Sequence, residues 1–139
     1  MRILVTGSRD WSNVETIRQA LLDHTSDVEY VSDVLIVHGA ATGADTLSGR
    51  IARNFGFMVE EHPANWDDCG DDCNPEHWRY RYDNTPYCPR SGYKRNALMV
   101  NLGADICLAF IRNGSKGAGM TARMAEKAGI PVHRYIQDD

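Results

Sequence analysis

Hydrophobic residues follow two alternating patterns along this chain. Short segments that are apolar almost throughout are typical of parallel strands buried on both faces, and they predict five strands. Between them, apolar residues recur at helical spacing, as Val14, Ile17 and Leu21 do, and predict four helices. The predicted strands cover residues 2–6, 34–37, 57–62, 105–111 and 131–136. The first predicted helix begins near residue 13, and the second covers residues 45–54. The third extends from 91–92 to 102, and the fourth covers 120–128.

The regular alternation of strands and helices predicts the fold class. Successive β-α-β units form parallel sheets with right-handed crossovers and helices on both faces. We therefore expect an α/β domain of three layers around a five-stranded parallel sheet. Ligands bind such sheets at the carboxyl ends of the strands, and three of the strand-to-helix junctions there are rich in small residues. These junctions are residues 7–11, 37–45 and 112–119.

The second junction, residues 37–45, is the strongest candidate for a binding site. It joins an apolar strand to a helix through Gly39, Gly43 and three alanines. The first backbone N–H groups of a helix lack intrahelical acceptors, so such a junction favours a phosphate or a carboxylate. The alternative is that these small residues serve only to turn the chain. The junction matches neither a P-loop nor the dinucleotide-binding glycine fingerprint.

Three polar residues near these junctions each have a functional and a structural interpretation. Ser8 and Arg9 follow the first strand, where they would bind a phosphate or would be a turn residue and a solvated charge. Asp45 lies in the first turn of the second predicted helix, where a carboxylate suits the helix dipole. Capping alone explains Asp45, and the functional interpretation is a contact with a hydroxyl or base of the ligand.

Composition limits the function classes that need consideration. The 139 residues, 42% of them hydrophobic and 24% charged, predict one domain over 1–139 with its own core. No apolar run is long enough for a membrane span, and the start lacks a secretory signal, so a cytoplasmic location is expected. The formal net charge of −4 argues against a protein that coats nucleic acid by bulk electrostatics.

Residues 67–91 interrupt the alternation and are expected to form an irregular insertion. Four potential zinc ligands fall within it, and a structural zinc ion would order a segment with few apolar residues. The alternative is a surface loop with reduced thiols. His62 is a substitute ligand, and Cys107 is excluded because it lies within an apolar strand. The predicted ligands are Cys69, Cys73, His77 and Cys88.

Aromatic and basic residues alternate over 78–82 and 87–95. Such a strip can stack bases and contact phosphates, as single-stranded nucleic-acid binding proteins do. Six acidic residues in the same insertion oppose this interpretation. A solvated, zinc-ordered rim beside the cavity is the competing hypothesis.

Taken together, these motifs resemble the SLOG superfamily of Rossmann-like nucleotide-binding proteins, in particular its YspA/YpsA-like branch from phages and actinobacteria. The resemblance covers nearly the whole chain and rests on residues 5–11, 38–45, 62–66, 94–99, 109–110 and 114–117. It implies a pocket for a nucleotide or a nucleotide-derived ligand, and a homodimer. The implied ligand-binding residues are Gly7, Ser8, Arg9, Gly39, Gly43, Asp45, Arg95, Asn96, Ser115 and Gly117.

Two relatives within the superfamily suggest more specific functions. The Lonely Guy phosphoribohydrolases cleave nucleoside monophosphates with an arginine, to which Arg95 is similar, and a glutamate after a glycine-rich loop. Here Ala118-Gly119-Met120-Thr121 follows Gly117, so that glutamate is missing and Asp45 is the candidate substitute. The second relative, DprA, binds single-stranded DNA. The sequence thus leaves open a nucleotide sensor, an N-glycosidic hydrolase with Arg95 and Asp45 as catalytic residues, and a single-strand binding protein.

Overall fold

A five-stranded, fully parallel sheet lies at the centre of the computed structural model, which describes residues 1–64, 79–80, 83, 86–87 and 90–138. None of the helices in these residues has the length and apolar character needed to cross a bilayer. The strands of this sheet are β1 (Arg2–Gly7), β2 (Leu35–His38), β3 (Met58–Glu61), β6 (Ile106–Arg112) and β7 (Val132–Gln137). The α-helices are α1 (Val14–His24), α2 (Ala44–Phe55), α3 (Arg90–Asn101) and α4 (Lys116–Lys127).

The apolar runs form the central strands because both faces of the sheet are covered. The four residues from Ile3 to Thr6 in β1 and the five from Cys107 to Ile111 in β6 are buried, whereas β3 and β7 at the two edges are largely half-buried or exposed. On one face, α1 and α2 pack over Ile3, Val5 and Ile36. On the other face, residues of α3 and α4 pack over Leu4 and Val37. The predicted three-layer α/β architecture is confirmed.

The order of the strands places a switch point beside β1. The sheet runs β3-β2-β1-β6-β7, so the chain first adds strands on one side of β1 and then adds β6 and β7 on the other. At such a point the loops after neighbouring strands diverge and leave a crevice at the carboxyl edge. The loops after β1, β2 and β6 surround this crevice.

The structure differs from the sequence-based prediction in three places. Helix α4 begins at Lys116 and not at Met120, so the predicted glycine-rich loop is in part the first turn of the helix. A short 3-10 helix, Val31–Asp33, lies in the predicted connection before β2. Within the predicted irregular insertion, β4 (Arg79–Tyr80) and β5 (Pro86–Tyr87) pair antiparallel, and α3 already begins at Arg90.

Candidate functional site

A cavity of about 640 Å³ opens at the carboxyl edge of the sheet, at the switch point between β1 and β6. Seven of the ten ligand-binding residues expected from the sequence line it: Gly7, Arg9, Asp45, Arg95, Asn96, Ser115 and Gly117. Nine further lining residues were not expected: Thr6, Asp10, Ala41, Gly92, Tyr93, Arg112, Asn113, Ala118 and Met120. The structure therefore brings three distant junctions and one face of α3 together at a single cavity.

The first turn of α4 forms one wall of this cavity. Ser115 is the N-cap residue, and its side chain makes no capping hydrogen bond. The first N–H groups of a helix carry partial positive charge and have no intrahelical acceptors, so this end of α4 favours an anion. A Cβ atom added at Gly117 would meet no atom within 4 Å, which leaves room for a ligand to approach the backbone.

Asp45 is the buried carboxylate at the opposite side of β1. The residue is only 6% exposed, and its Oδ2 accepts hydrogen bonds from the N–H groups of Gly39 (3.1 Å) and Ala41 (3.4 Å). Its Oδ1 has no hydrogen-bond partner among the described residues. Burial raises the pKa of Asp45 to about 6, against the opposing effect of the Arg95 and Arg9 charges. The carboxyl group is therefore able to change protonation state near neutral pH.

Arg95 connects α3 with the loops that follow β2 and β3. Its Nη1 donates to the carbonyl oxygens of Gly39 and, at 3.4 Å, of His62, and its Nε donates to Asn96 Oδ1 at 2.7 Å. Half-burial of the guanidinium gives it a stronger field than an exposed arginine would have. Arg95 thus contributes positive charge to the cavity from a fixed position.

The loop after β2 does not present its amides to the cavity as the sequence suggested. The N–H groups of Gly39 and Ala41 donate to Asp45, and that of Ala40 donates to His38 Nδ1 at 2.9 Å. These three donors are therefore already satisfied by the protein. Because the loop amides hydrogen-bond to the protein's own side chains, the start of α4 replaces this loop as the candidate site for an anion.

Three of the expected ligand-binding residues do not line the cavity. The Ser8 hydroxyl accepts a hydrogen bond from Arg112 N–H at 2.8 Å and so ties the end of β1 to the end of β6. Gly43 has a φ of +83° and packs against the backbone of Ser8 and Arg9, where a Cβ atom would clash. Gly39 lies directly against Arg95, and a Cβ atom there would be 2.6 Å from Cζ. These three residues therefore do not contact the cavity themselves but support the residues that line it.

The charge of the cavity differs in sign from that of the chain. Arg9, Arg95 and Arg112 line it together with Asp10 and Asp45, so arginines outnumber carboxylates in a protein of net charge −4. Arg112 and Asp10 are partners, with Nη1 and Oδ2 3.8 Å apart. Arg112 was not predicted as a site residue, although it ends an apolar strand at the carboxyl edge of the sheet, where a basic residue such as Arg9 was expected to bind a phosphate.

The predicted zinc ligands Cys69, Cys73, His77 and Cys88 lie outside the described residues, as does most of the aromatic and basic strip over 78–82. Within the described residues, no group of three or more His, Cys, Asp or Glu side chains is arranged to hold a metal ion. His62, the substitute ligand, pairs with Glu60 at 2.8 Å. The zinc site, the single-strand binding surface and the homodimer stay predictions.

The fold and the cavity define this chain as a Rossmann-like α/β protein with a cavity at the switch point of its sheet. A family model described as the YspA, cpYpsA-related SLOG family matches residues 1–68. The Gene 61 protein of Mycobacterium phage D29 is 38% identical to this chain in an alignment that covers 96% of this chain and 95% of that protein. The chain belongs to the YspA, cpYpsA-related SLOG family.

A solved structure shares the fold. DNA processing protein A (DprA) from Streptococcus pneumoniae superimposes with a TM-score of 0.62 at 19% identity, over 96% of this chain and 49% of that one. The chain thus spans about half the length of the DprA structure. At this identity the likeness establishes the Rossmann-like fold alone. Family membership supports a function connected with nucleotides or nucleic acids.

Proposed function

We propose that the protein binds a nucleotide in the cavity at the carboxyl edge of its sheet. The observation that carries this proposal is the combination of an uncapped helix start, an excess of arginines and a buried carboxylate around one cavity. A volume of about 640 Å³ falls within the range of small-molecule sites. The first two features favour a phosphate, and the carboxylate favours a hydrogen-bond donor.

The orientation of the ligand follows from where these groups lie. Because β1 lies between β2 and β6, these two strands end two strand spacings apart, roughly 10 Å, and helices α2 and α4, which follow them, begin on opposite faces of the sheet. The phosphate belongs at the start of α4, near Ser115 and Gly117, since the carboxylate of Asp45 would repel it. A ribose hydroxyl or a base N–H then donates to Oδ1 of Asp45. Tyr93, which is exposed and lines the cavity, is the proposed contact of the base.

Isothermal titration calorimetry with single compounds tests this proposal. The four ribonucleoside monophosphates, ribose 5-phosphate and inorganic phosphate are titrated into the wild-type protein and into Arg95→Gln. We expect at least one nucleotide to bind, and Arg95→Gln to weaken it by about tenfold or more, since a charged hydrogen bond is worth roughly 1.5–3 kcal/mol. Arg50→Gln, on the exposed side of α2, is the matched control and should bind as the wild type does. If no compound binds at millimolar concentration, the proposal is wrong.

The pKa of Asp45 favours one second function, N-glycosidic hydrolysis of a nucleoside monophosphate. A carboxyl group with a pKa of about 6 is protonated in a minor fraction of molecules at neutral pH, and in that form it can transfer a proton to the leaving base. Release of free base is followed by chromatography for the wild type, for Asp45→Asn and for Asp27→Asn, an exposed control. Hydrolysis that survives in Asp45→Asn contradicts a catalytic role for Asp45. Binding without release of base favours a sensor.

A further inference from the structure

The ring of His38 fills a slot behind the candidate site. His38 is the last residue of β2, is only 2% exposed, and packs against Gly49 of α2. A Cβ atom at Gly49 would be 2.6 Å from Nε2 of the ring, so the helix leaves space for the histidine. The ring is thus held between the strand and the helix that carries Asp45.

The hydrogen bond that the ring accepts from Ala40 fixes its protonation state. Nδ1 lies 2.9 Å from the N–H of Ala40, which can only donate, so Nδ1 is the unprotonated nitrogen and Nε2 carries the hydrogen. Nε2 has no hydrogen-bond partner among the described residues, and Glu61 Oε1 is 3.8 Å away. Burial lowers the pKa of His38, which keeps the ring neutral and Nδ1 available as an acceptor.

The bond from Ala40 to His38 holds an unusual backbone conformation. Ala40 has a φ of +57°, in the left-handed region that residues other than glycine rarely adopt. With Ala40 in this conformation, the N–H groups of Gly39 and Ala41 on either side of it both reach Oδ2 of Asp45. The carbonyl oxygen of Gly39 meanwhile accepts from Arg95. One loop conformation therefore sets the positions of both charged residues of the site.

We infer that His38 is a positioning residue, which orients Asp45 and Arg95 by accepting a hydrogen bond from Ala40 through Nδ1. Its effect on ligand affinity rests on the proposed nucleotide site, but its effect on Asp45 does not. The decisive feature is the place of the acceptor on the side chain. Asparagine carries an oxygen on Cγ, where histidine carries Nδ1, whereas glutamine carries its oxygen one bond further out.

The experiment compares His38→Asn with His38→Gln by two readouts. The first is the titration of the Asp45 carboxyl carbon by ¹³C NMR in the ligand-free protein. The second is the affinity for the nucleotide that the wild type binds best. In His38→Gln we expect the pKa of Asp45 to rise by about one unit, because its carboxylate loses hydrogen bonds, and the affinity to fall by about tenfold. In His38→Asn we expect both values to stay close to the wild type.

The order of the two variants in these readouts separates positioning from simple packing. Asparagine is smaller than glutamine and fills less of the slot, so a role in packing alone would make His38→Asn the more perturbed variant. The inference is overturned if Asp45 has the same pKa in both variants. It is also overturned if the pKa of Asp45 departs further from the wild-type value in His38→Asn than in His38→Gln. If His38→Gln does not fold, His38→Leu takes its place, because leucine is also larger than asparagine and offers no hydrogen-bond acceptor. If the wild type binds no nucleotide, the proposed function fails while the titration still decides the role of His38.

Discussion

Replacing Asp45 by asparagine is expected to change how the stability of the fold depends on pH. The folded pKa of about 6 lies above the ordinary value of 3.8, so the folded state holds this proton more tightly than the unfolded chain does. Ionisation of Asp45 therefore destabilises the fold above pH 6, and this cost disappears as the pH falls towards 4. A difference of about two pKa units corresponds to about 3 kcal/mol, of which about 2 kcal/mol is recovered between pH 7.5 and pH 4.5.

Urea denaturation at several pH values measures this effect. The free energy of unfolding of Asp45→Asn minus that of the wild type should be larger at pH 7.5 than at pH 4.5 by about 2 kcal/mol, because the variant lacks the buried charge. Asp27→Asn removes an exposed carboxylate and should leave the relative stability almost unchanged over this range. Parallel curves for the wild type and Asp45→Asn would show that Asp45 titrates normally, and would refute the argument from its burial. A more stable variant that binds nucleotide less well would identify Asp45 as a site where stability and function conflict.

Three further predictions concern other parts of the chain. Gly39→Ala should leave the fold intact but displace the Arg95 guanidinium. In calorimetry it should weaken nucleotide binding about as much as Arg95→Gln does. An unchanged affinity would contradict the contact between Gly39 and Arg95 as a determinant of binding. Cys107 is fully buried, and burial raises the pKa of its thiol to about 12. Iodoacetamide at pH 8 should therefore label Cys107 only in urea. Labelling of Cys107 in the native protein, detected by peptide mass spectrometry, would contradict this burial. We also propose a structural zinc ion. Metal analysis of protein purified without added zinc or chelator should find about one equivalent of zinc per chain. Less than about half an equivalent would count against the site. Its proposed ligands are Cys69, Cys73, His77 and Cys88.

The sheet was predictable because strands covered on both faces must be apolar throughout. Both β1 and β6 show this pattern, and Gly56 ends α2 in the left-handed conformation as expected. The start of α4 was misplaced because two glycines in its first turn disfavour a helix. The helix forms there nevertheless, since Ala118, Ala122 and Ala125 lie at helical spacing and are buried against the sheet. Tertiary packing overrides local propensity at this point.

The candidate site was predictable in its location but not in its hydrogen bonding. Small residues at the ends of strands indicated the edge of the sheet, whereas Arg95 was found only through the resemblance to a family. The direction of the amides in the loop after β2 depends on the positive φ of Ala40, which nothing in an alanine signals. The partnership of Ser8 with Arg112 likewise joins residues far apart in the chain, and no local pattern indicates it.

The loop after β2 contains an anion of its own. Asp45 belongs to helix α2, so its carboxylate is held beside the amides of this loop. Its effective concentration there is higher than the concentration that a phosphate in solution usually reaches. A phosphate entering this loop would have to displace a covalently attached competitor. Of the two similar helix starts, that of α2 is therefore occupied by the protein's own carboxylate and that of α4 is open, so the nucleotide that we propose would bind in a single orientation, with its phosphate at α4.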